Sequence, residues 1–135
     1  MTPPKKSTLL AVLVTAVLVA VAAPAWATDL TVDVVAASQF DSGLFIAIVG
    51  AHGPNPIIDA QLVVNSTVLV PDKVEDYSFD HTRNVTLFKI VKYGQVAKPG
   101  DTLTGIVTDT LANHASHTSV CGRGLPALHI TSICR

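Results

Sequence analysis

Five histidines, two cysteines and a cluster of acids are the residues of this 135-residue chain whose types invite chemistry. The histidines are His52, His81, His114, His117 and His129, and His114 and His117 stand three positions apart. On a helix that spacing puts both rings on one face; on a strand it puts them on opposite faces. Zinc or copper needs three or four ligands oriented by a second shell of hydrogen bonds. His114, His117 and His129 form the candidate metal set, provided the last strand pairs beside the one carrying the first two. Two histidines are half a site, and the segment equally reads as a polar turn with solvated rings.

Cys121 and Cys134 enclose 12 residues, and neither sits in a CxxC pair. In an oxidising compartment an even cysteine count reads as a disulfide. The segment Cys121 to Ala127 reads as an exposed Gly- and Pro-rich loop closed by that bond, with Arg123 its one charged contact. A braced loop suits a protease inhibitor, because bracing lowers the entropy cost of binding. The glycines on both sides of Arg123 argue against one, since they loosen the loop. Asp72 to Asp76, with Asp80 beyond, lacks the spacing and central glycine of a calcium loop and reads as a solvated loop. Its charges would also discourage pairing between neighbouring strand edges. No GxSxG elbow occurs, and Ser116 beside His114 and His117 is proximity in sequence only. The expectation is a protein that is not an enzyme and carries no cofactor. Asn65-Ser66-Thr67 and Asn84-Val85-Thr86 are glycosylation sequons if the host is eukaryotic.

These residues need elements to position them. Lys5 and Lys6, an apolar run from Leu9 to Ala23, Pro24 and the small residues Ala25 and Ala27 compose a secretory signal peptide over 1–27. The apolar run is shorter than the roughly 20 residues a membrane span needs. The mature chain, 28–135, is then a single domain with seven basic and ten acidic residues. That balance removes the electrostatic footprint of a nucleic-acid binder. Val, Ile and Thr supply 33 of its residues, whereas Glu, Met, Gln and Lys supply eight, a composition for strands rather than helices. Leu30, Val32, Val34 and Ala36 alternate with polar residues as one half-buried strand. Leu44 to Val49 is apolar on both faces, the mark of a strand buried on both sides or at a subunit contact. Further strands are expected at Ala60 to Asn65, Val68 to Val70, Val85 to Val91, Leu103 to Thr108, His117 to Cys121 and Leu128 to Cys134. Turn residues punctuate them, among them Asp41-Ser42-Gly43, Gly53 to Pro56, Asp80 to Asn84 and Pro99-Gly100-Asp101. The expected fold is all-β, a two-sheet sandwich of seven to eight strands, with a small β-barrel as the alternative.

Pro99-Gly100-Asp101-Thr102-Leu103-Thr104, followed by Val107-Thr108-Asp109-Thr110-Leu111-Ala112-Asn113, resembles the closing hairpin of bacterial immunoglobulin-like domains. Asp109 is suited to fold its carboxylate back onto the turn, and Asn113 to take the left-handed conformation. Ala112 stands where that family has glycine, and the chain continues for more than 20 residues past the hairpin. The resemblance implies an immunoglobulin-like sandwich used for binding or spacing at a cell surface. Read together, these features predict a secreted, periplasmic or cell-envelope module with no membrane span in its mature form. Its expected partner is a protein or glycan, and its expected binding loops are centred on His52, Asn55 and Arg123. A histidine metal-binding protein and a protease inhibitor are the rival readings.

Overall fold

A computed structural model of the chain describes residues 29–80 and 85–135. The leader and its cleavage point, His81 and the Asn84 sequon lie outside the described residues. The strands are β1 (Thr31–Phe40), β2 (Leu44–His52), β3 (Ile57–Val64), β4 (Thr67–Val68), β5 (Lys73–Asp80), β6 (Val85–Tyr93), β7 (Thr102–Asp109), β8 (His114–Leu125) and β9 (Ile130–Cys134). A 3-10 turn at Pro126–Leu128 joins the last two. All pairings are antiparallel, in one nine-stranded sheet of order β4-β3-β7-β8-β9-β1-β2-β6-β5.

The sheet turns back over itself through β8. From His114 to Val120 this strand pairs with β7, and from Cys121 to Leu125 it pairs with β9. The turn lays β7 against β1 and β2. A Cβ added to Gly105 of β7 would lie 2.8 Å from a Val35 methyl and 3.2 Å from a Val49 methyl. Only a residue without a side chain fits that approach. Phe45, Val49, Leu62, Leu103, Val107 and Cys134 fill the interior between the overlapping parts.

Eight of the nine strands lie where the alternation puts them, with three differences. The expected buried row of β1 does not run straight. A bulge between Val32 and Val34 inserts one residue, so Val35 and Ala37 turn inward while Val34 and Ala36 turn out. One extra residue inverts every later side chain, which is what a bulge does to a period of two. The acidic stretch expected as a loop is β5, paired along its length with β6. Glu75 lies opposite Lys89, and opposite charges across an antiparallel pair stabilise it. The segment expected as a loop after Cys121 is strand through Leu125. Gly124 permits this, because a Cβ there would run into the Ile130 carbonyl.

Candidate functional site

Three of the six buried polar side chains among the described residues hold loops. Gln39 is wholly buried; its Nε2 donates to the carbonyls of Phe40, Leu44 and Gly94, and its Oε1 accepts from the Val96 and Ala97 amides. One side chain thus ties the β1–β2 turn to the loop after β6. Asp109, also buried, accepts from the Leu111 and Asn113 amides and from the side chains of Asn113 and Asn55. Burial opposes its charge, but those donors outweigh burial and hold its pKa below the ordinary carboxylate value. The carboxylate folds back on the turn as expected. The left-handed residue, however, is Ala112 (φ 64°) and not Asn113, whose side chain is engaged by Asp109. Asp101 accepts from the Lys98 amide, the Asn65 side chain and the Lys98 ammonium. The Lys98 amide contributes most, and its pKa is lowered.

The expected site residues fall into separate places. Cys121 and Cys134 form a disulfide between directly opposed positions of β8 and β9. His114 and His117 lie at the start of β8, where His114 Nδ1 meets Thr108 Oγ1 at 3.0 Å. His129 follows the 3-10 turn and pairs with Asp41 at 3.0 Å. From His117 to Leu125, beside which β9 begins, is roughly 26 Å of strand at about 3.3 Å per residue. The fold therefore does not bring the three histidines together. Among the described residues, no group of three or more His, Cys, Asp or Glu side chains is placed to hold a metal ion. His52 pairs with Asp33 at 2.8 Å. Asn55 reaches Asp109, and the Thr110 amide donates to Pro56, so the β2–β3 and β7–β8 connections adjoin at one end. Arg123 is exposed on β8, opposite Ser132, and is not on a loop.

A different region has the form of a receptor. A cleft of about 340 Å³ lies between β3 and the strand pair β5–β6. Its floor is Leu62, Phe88 and Ile90, each nearly inaccessible. Its rim carries Ile58, 60% exposed, and Val74, 46% exposed. Asp59 and Asp76 line it as its charged residues. Asp76 lies opposite Phe88, and Val74 opposite Ile90, so both stand on the side of β5 that faces the interior. There they remain exposed because β3 does not cover them. Neither aspartate carboxylate has a hydrogen bond or ion pair among the described residues. The other side of β5 is matched internally. Lys73 meets Glu75 at 2.7 Å and Tyr77 donates to Glu75 at 2.6 Å. The Lys73 hydrogen bond, then that of Tyr77, brings the Glu75 pKa down to about 2.

The main chain of β3 is also open on this side. The Leu69 amide donates to the Leu62 carbonyl, which places the outward-facing backbone groups at Leu62 and, two residues back, at Ala60. β4 pairs only Val63 and Val64, and Pro71 follows. Proline has no amide hydrogen and ends the ladder. Sequence reading missed the cleft because it took β5 for a loop. The available signal was Val74 and Tyr77 interleaved with charges of both signs, which suits an edge strand. No family model matches the chain, and comparison with curated proteins and with solved structures found no match.

Proposed function

We propose that the chain is a secreted, noncatalytic immunoglobulin-like module that binds a protein partner in the cell envelope or outside the cell. The strand order supports the fold reading. The run β5-β6-β2-β1 corresponds to the D-E-B-A layer of a constant-type immunoglobulin sandwich, and β3-β7-β8 to its C-F-G layer. β9 is then an addition that joins the layers along one side. The disulfide suits an oxidising compartment. No helix among the described residues is long and apolar enough to cross a membrane.

The observation that carries the binding reading is the cleft, with its buried apolar floor and its exposed apolar rim at Ile58 and Val74. Apolar walls with a few convergent polar groups are the usual makeup of a binding site. The test is crosslinking of the protein in the envelope fraction of its host, repeated with Ile58→Arg and Val74→Arg. Val120→Arg, at an exposed position of β8, is the control. One partner band that both cleft variants lose and the control keeps is the expected result. Capture indifferent to the cleft variants, or no partner at all, overturns the reading.

A further inference from the structure

We propose that the cleft takes a short, cationic, extended peptide, which adds as a strand along the open edge of β3. This rests on the binding reading above and names the chemistry of the partner. Three features converge on it. First, the backbone groups of Ala60 face the cleft on the track that β4 leaves when the chain crosses toward β5. A strand edge with vacant donors and acceptors recruits another extended chain, with main-chain hydrogen bonds supplying affinity and alternate side chains supplying selectivity.

Second, the floor is apolar where a guest strand would project alternate side chains. Leu62, Phe88 and Ile90 lie beneath the opening, with Ile58 and Val74 as flanking contacts. A volume of about 340 Å³ holds a few side chains rather than a folded element.

Third, the charge at the opening has one sign. Among the described residues, Asp59 and Asp76 are unpaired and no basic residue lines the cleft. The nearby cations serve the opposite side of the sheet: Lys73 is bonded to Glu75, and Lys89 stands across from Glu75. Asp76 stands on the cleft face of β5, whereas Asp59, opposite Thr108, stands on the outer face of β3. A guest strand beside β3 therefore meets Asp76 from its cleft face and Asp59 from its outer face, and an acidic guest meets like charge at both, which costs affinity and selects the partner.

The experiment uses the full chain, expressed with its own N-terminal segment, and three fluorescein-labelled hexapeptides read by anisotropy. One alternates valine with lysine, one alternates valine with glutamate, and the third is the lysine peptide with every second backbone nitrogen methylated. The lysine peptide is expected to bind at least about tenfold more tightly than either of the others. The double variant Asp59→Asn, Asp76→Asn should remove most of the lysine-over-glutamate preference. Both positions are exposed, so the variant keeps the fold. Raising salt from about 50 mM to about 500 mM should weaken the lysine peptide and leave the double variant nearly unaffected. Equal binding of lysine and glutamate peptides overturns the cationic assignment, and indifference to N-methylation overturns strand addition. If no peptide binds while envelope capture still depends on Ile58 and Val74, the peptide proposal fails and the module reading stands. If capture is also indifferent to them, both fail.

Discussion

The two flanks of the folded sheet are finished in opposite ways. On one, β9 lies between β8 and β1 and joins them without a gap. That flank is crosslinked by Cys121–Cys134 and laced by Ser132 donating to the Gly122 carbonyl and Thr131 donating to the Gln39 carbonyl. On the other flank β3 and β5 stay apart, and only a two-residue strand and a proline stand at the gap. The closed flank consumes its backbone donors and acceptors internally, whereas the open flank leaves some of them, and two carboxylates, to solvent. Stability and access are thereby assigned to different parts of one sheet, its middle strands and its two ends.

Substitutions that break the closed flank should cost far more than any on the open one. Gln39→Leu strands several buried backbone groups at once, and each such loss costs about 1–3 kcal/mol. A total loss above about 3 kcal/mol is expected from urea unfolding; a loss near zero would mean that the loops hold without it. Replacing both cysteines by serine should cost roughly 3 kcal/mol, the chain-entropy value for so short a loop. Less than about 1 kcal/mol would show that β9 is held by its hydrogen bonds alone.

Acid should act on the links between flanks. Asp101 connects the Asn65 turn of the open flank to the loop before β7, and Asp109 holds the turn at the opposite end of β7. Hydrogen bonding holds both folded-state carboxyls below their ordinary pKa, so they bind protons more readily when unfolded. Their stabilisation is therefore full above about pH 4 and is lost as pH falls through the depressed values. The thermal midpoint should drop below about pH 4, with a shallower drop in Asp109→Asn. Identical acid limbs in the variant and the parent would remove Asp109 from the account.

Smaller effects sharpen the contrast. Ala112→Gly should add about 0.5 kcal/mol, because relief of the left-handed strain exceeds the entropy that glycine returns to the unfolded chain. On the open flank, Asp76→Asn should leave stability within about 0.5 kcal/mol of the parent, as for an exposed group without a partner. A larger loss would make Asp76 a structural residue rather than a contact.

Away from the cleft the fold was largely legible in sequence. The two cysteines, the Asp109 turn and the alternation of Leu103 to Thr108 are local signals, and local signals survive folding. The length of β8 was not legible, because glycines usually mark turns. Here Gly124 serves a close approach to Ile130, a tertiary fact absent from its neighbours in sequence. The open flank was hidden for a related reason. Lys73 to Asp76 reads as solvated by composition, and only its pairing with Phe88 to Val91 of β6, more than ten residues away, makes it a strand. The cleft is the space between two strands whose apposition no spacing encodes. Gln39 gave no signal either, since one buried amide looks like any surface glutamine until its five partners are in place.

The ladder between β3 and β7 slips between Ile57 and Asp59, two residues before Ala60. An irregularity at that point bends the strand and interrupts its regular spacing, so the vacant edge is brief. Long, flat, unguarded edges are what allow identical chains to stack into fibres. With a bulge at one end and the β4 hairpin at the other, the exposed stretch of β3 is too short and too bent to template a stack of its own kind. The β3 edge can therefore stay unfinished without seeding aggregation, and the other edge, β5, carries Lys73, Glu75 and Asp76, charges that discourage edge-to-edge pairing.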